Sequence, residues 1–423
     1  MQLPKKKKSK ILGELGNPKD FRFPENQRFS RIQKIQGIFL GNNVCAPKGF
    51  KALGKVVGIK KSGKLDFAVI FSEVLADATA VYTSNKVKGA PLIVTKKHLE
   101  SGKAQAIVVN SGIANVCTGN KGLKDAEDMT KLAADELGIN SSDVLVASTG
   151  SIGTFLPMDK VIKGMKGIKN ELSVKSDAAA AILTTDKVEK EIAVKVDNFT
   201  MGAVAKGSGM VHPNMATMLC FITTDAKIPS EKLASFLKSS VDKSFNMISI
   251  DMDTSTSDMA VIMANGLAGK VDEKKFKDAL DYVCIELAKK IAKDGEGATK
   301  LVEVEVKNAA TKNDADKIAR AVVSSNLVKC AIFGNDPNWG RIICAMGNSN
   351  ADFDENSVDV HFGKEMIVNK GITTDFDLSK VKGIMGKDVL KITIDLNGGK
   401  CHSLAWGCDM SYDYVKINAL YST

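Results

Sequence analysis

The chain has 423 residues, 44% of them hydrophobic and 26% charged, with a formal net charge of +10; that length holds roughly two to three domains and a large core. No apolar run approaches the roughly 18 residues that cross a bilayer, and no signal-peptide pattern opens the chain, which predicts a cytoplasmic protein with no membrane partner. The positive charge is concentrated: residues 1–34 carry +7 and the other 389 carry +3. Residues 1–36 therefore read as a flexible basic extension rather than as a nucleic-acid surface or a transit peptide, in which Arg would outnumber Lys.

Beyond that arm, short strand patterns alternate with amphipathic helices. "AIVVN" (106–110) reads as a strand ending in the small-residue turn "SGIANVCTGN". A helix follows, with Ala126, Met129, Ala133 and Leu137 on one face and Gly138 to stop it. "VLVA" (144–147) is a second strand, running into the turn "STGSIG". Pro229-Ser230 opens a helix with Leu233, Phe236, Leu237 and Val241 facing inward. The longest stripe, Phe276, Leu280, Val283, Leu287 and Ile291, predicts a buried-face helix over 272–293, capped by Asp272. "LVEVEV" (301–306) alternates as a strand with one wet face. "VLKITIDLNGGKCHSLAW" reads as a hairpin turned by Asn397-Gly398. The class is α/β with mixed or antiparallel sheets.

Few motifs reach chemistry unaided. "GIKKSGKL" (58–65) lacks the final hydroxyl of a phosphate loop and reads as a lysine-rich surface turn. "DMDTSTSDM" (251–259) lacks the geometry of a calcium loop and reads as a hydrogen-bonded turn that shapes a pocket. The eight cysteines contain no CxxC pair, which predicts reduced, mostly buried thiols. Cys401, His402 and Cys408 match no zinc spacing. "ASTGSIG" (147–153) offers backbone N–H groups and a Thr149 hydroxyl suited to an oxyanion. "DGEGATK" (294–300) presents Glu296 between two glycines, and "GNDPNWGR" (334–341) is a pocket wall or packing. In "KGSGMVHPNMATMLCFITTDA" (206–226), Thr217 follows a Pro-Asn turn, and His212 is separated from it by that proline. A threonine made N-terminal by chain cleavage needs no histidine, because its own α-amine serves as the base.

That segment resembles the self-cleaving segment of the ornithine acetyltransferase (ArgJ) family. "APKGFKALG" (46–54), "NSGIANVCTG" (110–119), "ASTGSIG" with "LPMDK" (156–160), "ILTTD" (182–186), "DTSTSD" (253–258), "DGEGATKLVEV" (294–304), "GNDPNWGR" and "WGCDMSYDYVKINALYST" (406–423) resemble its other signatures, in family order. The resemblance covers residues 37–423. It implies a layered two-sheet α/β fold with helices outside. It also implies autocleavage between Ala216 and Thr217 into an α chain (37–216 behind the arm) and a β chain (217–423), which stay associated, as a dimer of αβ heterodimers.

Carried over, Thr217 is the nucleophile, Thr149 and Gly150 form the oxyanion hole, and Thr184 or Thr185, Lys206, Thr217, Glu296, Asn418 and Thr423 bind substrate. The implied reaction is ping-pong: acetyl passes from N2-acetylornithine to Thr217 and then to glutamate. No metal or cofactor is required, and acetyl-CoA serves some family members as a co-substrate. The chain departs from the family at Ile113, His212, Met252 and Ser257, which bears on substrate preference. Rival readings are a same-fold acyltransferase with another acceptor, an N-terminal-nucleophile amidohydrolase, and a non-enzymatic binder using the basic arm.

Overall fold

Two mixed β-sheets with helices packed on them make up the residues that the computed structural model describes, 37–41, 43–212 and 218–420. The predicted basic arm 1–36, the Ala216–Thr217 bond and Thr423 lie outside the described residues. In the first sheet eight strands run in the order Gly37–Gly41, Lys190–Val196, Phe199–Lys206, Leu219–Lys227, Met259–Lys270, Phe67–Tyr82, Lys103–Ile113 and Val144–Ser151, and a ninth, Phe50–Lys55, pairs with Phe67–Tyr82. Most neighbours are antiparallel, but 219–227 runs parallel to 259–270, and 103–113 parallel to 144–151. Strands from the two sides of residue 217 are interleaved. Lys206 is in register with Leu219, and Leu219 with Met259. A break between 206 and 219 would therefore leave the two pieces joined by main-chain hydrogen bonds.

The second sheet has the order Ile372–Thr373, Glu365–Asn369, Asp359–Phe362, Val389–Asp395, Leu301–Ala309, Cys401–Cys408 and Ile248–Ser249. The predicted hairpin does not form as such. Leu301–Ala309 slots between 389–395, to which it is parallel, and 401–408, to which it is antiparallel. Its buried Val302, Val304 and Val306 alternate with half-buried Glu303 and Glu305, so it fits a central place. The Asn397-Gly398 turn exists, with Asn397 at φ +49°, but it crosses the end of the inserted strand. Leu396 and Gly398 donate their N–H groups to the Lys307 and Asn308 carbonyls.

The helices follow their periodicity. Gly119–Leu137 buries all four predicted apolar residues and ends at Gly138, φ +74°. Ser230–Lys243 buries Leu233, Leu237 and Val241, while Phe236 is half-buried against the Phe276 ring. Glu273–Lys293 buries its whole predicted stripe, and the Asp272 side chain accepts from Lys275 N at 2.9 Å. Each such buried Leu, Ile, Val or Phe contributes about 1.5–3 kcal/mol, and this helix packs against strands of both sheets. Among the described residues no helix is long and apolar enough to cross a membrane. All eight cysteines are free thiols, but four are buried rather than most of them.

Candidate functional site

The first sheet delivers the site at the ends of its strands. The strand predicted to stop at Asn110 runs on to Ile113, and 144–147 runs on to Ser151, because the two ends pair with each other through a bulge. Thr149 and Gly150 thus sit on a strand end and not in the turn expected for them. Gly150 has φ +130° and lies so close to the Gly112 carbonyl that any Cβ would overlap it, so no other residue fits this approach.

From the hairpin of 190–196 and 199–206, with four strands between it and 144–151 in the sheet order, Lys206 closes the strand Phe199–Lys206 and its Nζ donates to Thr149 Oγ1 at 3.2 Å. Two residues on, the Ser208 hydroxyl is 2.8 Å from Thr185 Oγ1, and the Ser208 carbonyl accepts from Glu296 N at 2.8 Å. Glu296 is 7% exposed, and its carboxylate accepts from Asn418 Nδ2 at 2.8 Å. Gly209 is tight against it, and a Cβ at that position would overlap the carboxylate. Thr149, Lys206, Thr185, Glu296 and Asn418, drawn from five distant segments, therefore meet around one stretch of backbone. Thr184 edges the same group through its N–H, which donates to Asp186 Oδ2 at 3.1 Å. Thr217 and Thr423 lie outside the described residues.

Beneath this group lies a charge cluster that the sequence reading did not single out. Lys190 Nζ donates to Asp186 Oδ1 (2.7 Å), Asp294 Oδ2 (2.6 Å) and the Val188 carbonyl (3.2 Å). Asp186 also accepts Gly207 N at 2.7 Å. Burial opposes its charge, but the Lys206 and Lys190 ammonium groups outweigh it and hold the carboxyl down at about 2. Asp186 belongs to "TTD", so the motif was visible, but the cluster is closed by Asp294, 104 residues from Lys190.

"DMDTSTSD" forms the hydrogen-bonded turn expected. Asp251 accepts Met210 N (2.6 Å) and Val211 N (2.8 Å), and Thr254 Oγ1 donates to the His212 carbonyl. Of the four positions read as departures, Met252 and Ser257 lie in this turn and His212 is bonded to it. Met252 has φ +69°, a conformation that favours glycine, and is exposed. Ser257 Oγ is buried without a hydrogen-bond partner among the described residues, as is Asp258 Oδ2, which directly precedes the strand Met259–Lys270. Ile113 is buried in an apolar cluster at the end of its strand. His212 is no free base. Arg320 Nη2 donates to Nε2 at 3.3 Å, which puts the proton on Nδ1, 3.0 Å from Ser249 Oγ. Burial, then the Arg320 charge, push the imidazole down to about 4.

"GIKKSGKL" departs from its reading as a surface turn. Lys61, Ser62, Gly63 and Lys64 are exposed, but Lys60 is half-buried and points its ammonium at the Leu65 and Leu183 carbonyls, 2.7 Å from each.

The sequence model of the ArgJ family matches residues 51–423. "Arginine biosynthesis bifunctional protein ArgJ" of Symbiobacterium thermophilum is 48% identical over 400 residues, covering 91% of this chain and 100% of the relative. The protein of the same name from Caldanaerobacter subterraneus is 49% identical over 401 residues, covering 91% of this chain and 99% of the relative. Among solved structures, ornithine acetyltransferase of Mycobacterium tuberculosis complexed with ornithine is 38% identical, with a TM-score of 0.40 over 43% of this chain and 100% of that one.

Proposed function

The chain belongs to the ArgJ family, and from that premise we propose that it is the acyltransferase of arginine biosynthesis that moves acetyl from N2-acetylornithine to glutamate through Thr217. The observation that supports this most is the convergence of Thr149, Lys206, Thr185, Glu296 and Asn418 on one stretch of backbone. Freed by cleavage after Ala216, the Thr217 amine takes the proton of its own hydroxyl. The hydroxyl oxygen then attacks the acetyl carbonyl of acetylornithine. The carbonyl oxygen gains the charge and collapses back as the ornithine Nα, protonated by the Thr217 ammonium, leaves. Acetyl-Thr217 remains. The glutamate amine attacks this ester by the same route and regenerates Thr217.

Thr149 and Gly150 are the proposed oxyanion donors. Lys206 occupies the Thr149 oxygen as a donor, so the Thr149 O–H must point elsewhere and is held ready for developing charge. Glu296, steadied by Asn418, offers a carboxylate for the substrate ammonium group, with Thr184, Thr185 and Thr423 as further contacts. The interleaved sheet supports association of the two chains after cleavage, and pairing into a dimer of αβ heterodimers follows the family expectation. Acetyl-CoA is a further candidate donor.

The test is ornithine release from N2-acetylornithine with and without glutamate. Release that requires glutamate and yields N-acetylglutamate is the expected result. Release without glutamate, giving acetate, would instead support the amidohydrolase.

A further inference from the structure

Two ammonium groups, those of Lys60 and Lys206, share the site, and among the described residues neither is hydrogen-bonded to a carboxylate. Of the nearby carboxyls, Asp258 is pushed well up by burial against the opposing Lys206 charge, and two others are taken up elsewhere. Asp66 is fully buried and accepts four backbone N–H groups, from Val57 (2.7 Å), Gly58 (3.1 Å), Ile59 (2.6 Å) and Lys60 (2.9 Å). Asp186 is held by Lys190, Gly207 N and Thr184 N. Among the described residues the hydrogen-bond partner of Lys206 Nζ is the neutral Thr149 hydroxyl, and those of Lys60 Nζ are the carbonyls of Leu65 and Leu183. An ammonium has three N–H donors, so one on Lys60 has no partner among the described residues.

Lys60 is also placed with some rigidity. The Asp66 cage fixes its backbone, and its stem crosses Gly112, where a Cβ would come within 3.0 Å of Lys60 Cγ. Gly112 in turn lies against Gly150, and Leu183 immediately precedes Thr184. The Lys60 ammonium is thus braced between the strand end bearing Thr149 and Gly150 and the turn bearing Thr184 and Thr185. Half-burial pushes its pKa down to about 8. Asp66 and Asp186 oppose that shift, while Lys206 and the exposed Lys64 add to it. A buried or half-buried cation without a paired anion is costly to keep, and both substrates of the proposed reaction carry an α-carboxylate.

We propose that Lys60 is a substrate-binding residue, pairing with Lys206 to hold a carboxylate of the amino-acid substrate. This deepens the acetyl-transfer reading and rests on it for the identity of the ligand. Were Lys60 a strut for the Leu183 turn, its loss would disturb all ligands alike. Were it a carboxylate contact, its loss would affect only ligands with that charge.

The experiment is calorimetric binding of N2-acetylornithine and of its α-carboxamide to processed wild type and to Lys60→Met. Wild type should prefer the acid by tenfold or more. Lys60→Met should weaken the acid about tenfold, leave the amide within twofold, and so cut the preference about tenfold, any remainder being due to Lys206. Equal weakening of acid and amide, or a preference unchanged by the substitution, would overturn the proposal. Should Lys60→Met not fold, Lys60→Gln takes its place, with the same selective loss on the acid expected and the same outcomes overturning the proposal. Acetyl transfer is followed on the same preparations. A wild type that prefers the acid but transfers no acetyl upholds Lys60 and refutes the reaction, whereas one that binds neither ligand refutes both.

Discussion

Lys190 and Lys206 sit almost side by side in one hairpin, since Lys190 is in register with Ala205. Both are buried, at 0% and 8% exposure, yet their surroundings are opposite. Lys190 has two carboxylates and a carbonyl, so all three of its donors are matched. Lys206 has one neutral hydroxyl, and across the site Lys60 has two neutral carbonyls. The first arrangement is complete without a ligand and ties 186–190 to 294. The second is completed by an anion. The contrast separates a charge that builds the fold from charges that await a substrate.

Breaking the closed cluster should have the largest effect on stability. Lys190→Met takes the bonded cation from buried Asp186 and Asp294 and leaves Asp186 only the Lys206 charge, and removing one partner of a buried pair costs about 3–5 kcal/mol. Urea unfolding should show that loss, and a midpoint equal to wild type would show that the cluster is not structural. On the open side the effect should fall on rate. Thr149→Ala removes the hydroxyl oriented by Lys206, which should lower turnover by about 10²–10³ while substrate affinity changes far less. Equal turnover in wild type and mutant would move the oxyanion donors elsewhere. Glu296→Gln keeps the shape and the Asn418 contact but removes the charge. Loss of a charge-assisted bond of about 1.5–3 kcal/mol should weaken use of acetylornithine and glutamate together, with chain cleavage unaffected. A mutant that stays uncut yet binds substrate normally would assign Glu296 to processing instead.

Much of this was legible in the sequence, for a physical reason. Helices such as Glu273–Lys293 declare themselves through local periodicity, and the family motifs carried Thr149, Lys206, Glu296 and Asn418 to one place. What failed depended on partners distant in the chain. The 389–408 hairpin was a sound local reading, but Leu301–Ala309 enters between its arms. Thr149 and Gly150 looked like turn residues because their strand pairing is with 111–113. Lys60 looked like one more surface lysine, since its burial comes from Asp66 fixing the loop and from Leu183, 123 residues away, receiving the ammonium. The departure at Met252 was visible as a substitution, but its left-handed φ was not.

The central claim is that one threonine both cuts the chain and carries the acetyl group, and intact-mass spectrometry tests it most directly. Wild type should appear as two chains, the second beginning Thr217-Met218-Leu219-Cys220, and brief exposure to N2-acetylornithine should add one acetyl group to that second chain. Thr217→Ala should give a single uncut chain that takes up no acetyl. Active wild type that remains one intact chain, or acetyl found on the first chain, would contradict the account.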